Sequence, residues 1–183
     1  MNQKELLEIL SKDNNTSKLD KISKVHTFTK RYLLIAEEIS EDGVAFLQPL
    51  KEHRDAYDHL MRIFSLPQRD TLNFDVDEYI SNNLSKAFGH EYRAFLDTAD
   101  WLTFICRKYI REELSSNIKQ KKYMSNFDDF DEIKKFINDL PFKIAKYRDD
   151  KDIGKEESLI SEVYEYTKVI NRLLDIYKKT KML

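Results

Sequence analysis

Phe88-Gly89-His90-Glu91-Tyr92-Arg93-Ala94-Phe95-Leu96-Asp97-Thr98-Ala99-Asp100-Trp101-Leu102-Thr103-Phe104-Ile105-Cys106-Arg107-Lys108-Tyr109 carries two patterns at once. Phe88, Tyr92, Phe95, Ala99, Leu102, Cys106 and Tyr109 recur at alternating steps of four and three, the seam of a helix in a bundle. Lys86, His90, Arg93, Asp97, Asp100, Phe104, Arg107 and Arg111 repeat those steps on the opposite side, with Trp101 beside them. A strand holds neither pattern, because its successive side chains alternate between two faces. The spacing predicts one long helix over 76–116, with Gly89 as the place for a kink.

Outward from this helix the same period persists. Leu19, Ile22, Val25, Tyr32, Leu33, Ala36 and Ile39 mark a helix over 18–40, which Asp42-Gly43 should stop. A short helix over 2–10 and a polar linker over 12–17 precede it. The next helix begins at Val44 or at Pro49, where proline suits a first turn, and runs through Phe64. Leu47, Leu50, Tyr57, Leu60, Met61 and Phe64 fall on one side of it, expected to be its core side, with His53 and Arg54 within or beside the stripe. Lys51, Asp55, Asp58, His59 and Arg62 form the other face. Loops are expected over 65–75 and 117–126 and a turn over 149–154. Two further helices, one bent at Pro141 and one over 155–181, complete the set.

The expected fold is therefore all-α: one domain over 1–183, an up-and-down bundle of four to five long antiparallel helices. Composition agrees. Three glycines and three prolines are too few for the turns of an all-β chain, and 35% charged residues suit a heavily charged outside. A net charge of −2 excludes a global field drawing the chain to nucleic acid or anionic lipid, so any such contact must be local. The first residues lack a signal peptide's apolar run and no stretch reaches membrane-span length, so the expected location is cytoplasmic, with no membrane partner. Cys106, the single cysteine, lies on the apolar seam and is expected to be a small core residue.

Ionisable groups concentrate in Glu52-His53-Arg54-Asp55-Ala56-Tyr57-Asp58-His59-Leu60-Met61-Arg62. Arg54–Asp58, Asp55–His59 and Asp58–Arg62 are spaced as i,i+4 pairs, each worth a few tenths of a kcal/mol, about 0.2–0.5, on a solvated face. Arg54 and His59 lie roughly 140° apart on an ideal helix, so they converge only through their long side chains at a shared cleft. His90, Arg93, Asp97 and Asp100 make a second polar group, either an interhelical salt-bridge layer or a network lining the same cleft. Trp101 and Phe104 offer an association face. His26 stands alone near an apolar stripe and is expected to be a satisfied or surface histidine. No Glu-x-x-His, His-Glu-x-x-His, glycine-rich phosphate loop or nucleophile motif occurs, so no cofactor and no metal are expected.

Arg54-Asp55-Ala56-Tyr57-Asp58-His59 resembles the Arg-polar-x3-His signature of HEPN domains, although asparagine is commoner where Asp55 stands and a tyrosine often stands where Met61 does. HEPN domains are small helical bundles of toxin–antitoxin, CRISPR and anti-phage systems, many of them metal-independent ribonucleases. The resemblance implies that Arg54 stabilises phosphate charge, that His59 acts as general acid or base, and that Asp55 orients the pair. Asp58, Arg62, His90, Arg93, Asp97 and Asp100 would support them. It implies RNA as substrate or ligand, a homodimer in which two motifs meet, a co-encoded partner or antitoxin, and activity that survives EDTA. The competing expectation is a non-catalytic scaffold that associates through the helix bearing Trp101 and Phe104.

Overall fold

The computed structural model describes residues 1–40, 46–149 and 156–182. Of these, 88% are helical, in an all-α helical bundle with no strand among the described residues. Among the described residues seven α-helices follow in order: α1 Gln3–Leu10, α2 Asp13–Ile39, α3 Leu47–Phe64, α4 Val76–Glu113, α5 Asn117–Asn126, α6 Phe130–Asp149 and α7 Glu156–Lys181. The expected stop at Asp42-Gly43 lies outside the described residues, as does most of the turn expected over 149–154.

Local chemistry explains the helix ends. Asn2 caps α1 by accepting from the Glu5 amide, while the Glu5 carboxylate accepts from the Asn2 amide, a reciprocal capping box. The stretch expected as a linker over 12–17 instead starts α2. Buried Asn15 donates from Nδ2 to the Ile9 carbonyl at 2.9 Å, so a polar residue here serves the C-terminal end of α1. Between α3 and α4, Leu66–Gln68 forms a 3-10 turn that buries Leu66. The residues expected as a loop over 117–126 are α5, whose one buried side chain is Tyr123. α4 passes through Gly89 without interruption, and α6 likewise contains Pro141 in its interior.

The chain divides into two compact units, Met1–Arg31 with Ala45–Asp97, and Tyr32–Val44 with Thr98–Leu183. The first unit buries Leu6, Val25, Ala56, Ile63, Leu84 and Phe95. The second buries Leu102, Cys106, Tyr123, Leu140, Tyr166 and Ile170. The four-and-three seam of α4 is buried from Phe88 to Cys106, as its spacing requires. Burial pushes the Cys106 thiol up to about 12, which keeps it an unreactive core residue.

α3 reverses its expected orientation. Its buried positions are Pro49, Ala56 and Ile63, and its half-buried ones include Glu52, His53 and His59. Leu47, Leu50, Tyr57, Met61 and Phe64 of the apolar stripe face out, Tyr57 being 61% exposed. The helix thus turns a histidine-bearing polar face inward and an apolar face to solvent.

Candidate functional site

All four histidines belong to the first unit, and each makes contacts there. Asn83, on α4, donates from Nδ2 to the Tyr79 carbonyl at 2.9 Å, which fixes its amide orientation. Its Oδ1 therefore faces His59 Nδ1 at 2.9 Å and must accept from it. That assigns the tautomer: neutral His59 carries its proton on Nδ1, and Nε2 is the basic nitrogen. The ring stacks on His90 at 5.4 Å between centroids.

His90 in turn meets Glu52 and Arg93. Glu52 Oε2 accepts from Arg93 Nε at 3.0 Å and lies 2.8 Å from His90 Nδ1. Arg93 Nη2 is 2.7 Å from the same His90 nitrogen. One nitrogen cannot donate to the carboxylate and accept from the guanidinium together, so the position of the imidazole proton selects between two arrangements. Burial pushes Glu52 up, but the hydrogen bonds from His90 and Arg93 outweigh it and hold the carboxyl below its ordinary range.

Deeper in the unit, Glu91 is buried (4% exposed) with its carboxylate between two imidazoles. His53 Nδ1 lies 2.9 Å from Oε2, and His26 Nδ1 lies 3.3 Å from both oxygens. Burial raises Glu91, yet the bonds from His26 and His53 bring it below its ordinary value. The Glu91 hydrogen bond raises His26 despite its partial desolvation. His26 is therefore a satisfied histidine, its side chain 49% exposed.

Arg54 points elsewhere. Its side chain is 69% exposed and binds the adjacent Asp55 Oδ1 through Nε at 3.0 Å and Nη2 at 2.7 Å. That hydrogen bond holds the Asp55 carboxyl below its usual range, with smaller contributions from His90 and Lys51. Asp55 thus lies electrostatically between Arg54 and His90, on whose ring His59 stacks. The structure brings His59, His90, Arg93 and Glu52 together and keeps Arg54 with Asp55 at the outer edge. Asp58 and Arg62 pair with each other on the exposed surface at 2.6 Å.

Asp97 is half-buried, and the side chain of Arg93, its expected i,i+4 partner, reaches Glu52 and His90. Asp100 belongs to the second unit, where it accepts from Arg148 Nε at 2.6 Å and from the buried Tyr166 hydroxyl at 2.8 Å. Also in that unit, Trp101 and Phe104 line a groove of about 310 Å³ with Tyr109 and Tyr177, and Phe104 is 59% exposed.

Sequence reasoning missed Glu52, Asn83 and the Glu91 pair of imidazoles. Asn83 and Glu91 each meet a histidine on another helix, 24 to 65 residues away, a separation no local motif encodes. Glu52 carried a weak signal, since it is four residues from the inward-facing Ala56. Among the described residues no helix is long and apolar enough to cross a membrane. Compared with family models, with curated proteins and with solved structures, the chain matches none.

Proposed function

We propose that this chain is a cytoplasmic HEPN-like RNA-cleaving module that works as a homodimer paired through the outer face of α3, in a toxin or defence-type system. The observation that supports it is the placement of Arg54, an exposed cation centred in the outward apolar stripe of Leu47, Leu50, Tyr57, Met61 and Phe64. A large apolar stripe on a helix surface marks an association site. An arginine at its middle puts a phosphate-binding group where two copies meet.

In this reading Arg54 exchanges Asp55 for a backbone phosphate, and its charge stabilises the dianionic transition state. His59, with Nδ1 anchored by Asn83, presents Nε2 as the base that accepts the proton of the attacking 2′-hydroxyl. As the 2′-oxygen bonds to phosphorus the P–O5′ bond breaks, and the 5′-oxygen leaves with a proton from water, giving a 2′,3′-cyclic phosphate and a 5′-hydroxyl. His90, Arg93 and Glu52 hold the ring from the other side. Arg54 and His59 leave α3 on different sides, so RNA must lie along the flank that Asp55 occupies.

The test is incubation of purified wild type, Arg54→Ala and His59→Ala with a mixed RNA pool. Cleavage by the wild type alone, surviving EDTA, is the expected result. Equal cutting by all three would make the motif a surface charge pattern. A specific observation also favours a scaffold role: exposed Phe104 and Trp101 line a groove suited to a protein segment. If wild type cuts nothing, alone or with a co-encoded partner, while Phe104→Ala abolishes binding of that partner, the scaffold reading replaces the enzymatic one.

A further inference from the structure

Three helices of the first unit each place one metal-competent side chain at a common point: His26 from α2, His53 from α3 and Glu91 from α4. We propose that these residues bind one divalent transition-metal ion of the zinc class, with water as the fourth ligand.

The donor set, two imidazole nitrogens and one carboxylate oxygen, suits zinc or cobalt over magnesium and calcium, which take oxygen ligands. Tetrahedral bonds of about 2.0–2.2 Å place donor atoms roughly 3.3–3.5 Å apart. Here the Glu91 oxygens approach both Nδ1 atoms at 2.9–3.3 Å, and the three donor atoms all lie within 4.8 Å of one another. Small side-chain adjustments therefore admit an ion.

Burial adds a second reason. A carboxylate removed from water needs a compensating positive charge. Without metal, hydrogen bonds from the two Nδ1 atoms are what the carboxylate has in place of one. A divalent ion supplies the charge itself, and binding releases whatever proton the two Nδ1 atoms carried to Glu91. His26, half open to solvent, provides the route of entry and the side on which water completes the shell. Glu52, next to His53 in sequence, is engaged by His90 and Arg93 and is not part of the donor set. Lys30 is the cation acting on His26. The ion would fasten α2, α3 and α4 together, a structural role that does not depend on the RNA reading.

The experiment uses the full chain, stripped with EDTA and desalted, with no RNA present. Titration with zinc chloride by calorimetry should give one ion per chain, and zinc should raise the thermal unfolding midpoint. Cobalt should give the visible absorption of a tetrahedral site. His26→Ala, at a half-exposed position where folding is not at risk, and the near-isosteric Glu91→Gln should each weaken zinc binding at least tenfold. His59→Ala should bind like wild type. Absence of any heat or midpoint shift overturns the assignment, as does undiminished binding in His26→Ala and Glu91→Gln, or loss of binding in His59→Ala. Cleavage is scored separately, so failure of either assay leaves the other result standing.

Discussion

Arg54 and His59 lie five residues apart on one helix, yet their surroundings make their substitutions separable. The sequence placed the Arg54 stem against the core and His59 on a solvated face; the structure has Arg54 out and His59 turned in. Arg54→Ala should therefore change stability by no more than about 0.5 kcal/mol. His59→Ala leaves the Asn83 oxygen without its donor in a buried setting and should cost about 1–3 kcal/mol. Denaturant midpoints of the two variants check the ordering, and a larger shift for Arg54→Ala would contradict it. Asn83→Asp tests the assigned role of His59. A carboxylate against Nδ1–H favours the protonated ring. If His59 transfers the proton, the pH–cleavage profile of Asn83→Asp should move to higher pH. A superimposable profile would assign proton transfer to another group.

Helices were legible because apolar residues at a period near 3.6 recur along most of the chain, and the seam from Phe88 to Cys106 is buried as its spacing required. Phe95→Ala should cost about 3–5 kcal/mol and Leu102→Ala about 2–5. Periodicity identifies a stripe but not the direction it faces. On α3 the apolar stripe looks out because the inward positions hold Glu52, His53 and His59, whose polar atoms find partners on α4. The gain from those satisfied buried contacts was invisible without the facing helix. α5 was hidden for the opposite reason. Its sequence is polar nearly throughout, and its burial depends on Tyr123 alone, whose hydroxyl donates to Asp129 Oδ1 at 3.3 Å. Asp129 is in turn held by Lys179 at 2.5 Å. Tyr123→Ala should cost about 3–5 kcal/mol, as large aromatic truncations do, and Tyr123→Phe only about 1, the loss of one hydrogen bond. Equal, small costs for both would mean that α5 is not anchored through this ring.

At the scale of the whole molecule, the proposed dimer makes the outward stripe of α3 its own complement. Leu47, Leu50, Arg54, Tyr57, Met61 and Phe64 alternate in steps of three and four, the spacing of a two-helix seam. The order is nearly palindromic about a point between Arg54 and Tyr57. In an antiparallel pair related by a two-fold axis, Leu47 opposes the partner's Phe64, Leu50 opposes the partner's Met61, and Arg54 lies over the ring of the partner's Tyr57. Flanking this seam, Lys51 comes opposite the partner's Asp58, and the symmetry repeats that contact. A parallel pair would instead bring the two Arg54 side chains together, a like-charge contact at the centre. Wild type should therefore sediment as a dimer of the 21.9 kDa chain. Met61→Lys, at an exposed position, should give a folded monomer, since it leaves no core cavity. Lys51→Glu should weaken the dimer by setting two acidic pairs against each other, and Lys51→Glu with Asp58→Lys should restore it despite loss of the Asp58–Arg62 pair. Sedimentation equilibrium on the four proteins reads the outcome. Restoration in the double variant fixes the antiparallel register, whereas a monomeric wild type, or a double variant weaker than Lys51→Glu, would remove α3 as the interface and with it the pairing on which the proposed RNA site depends.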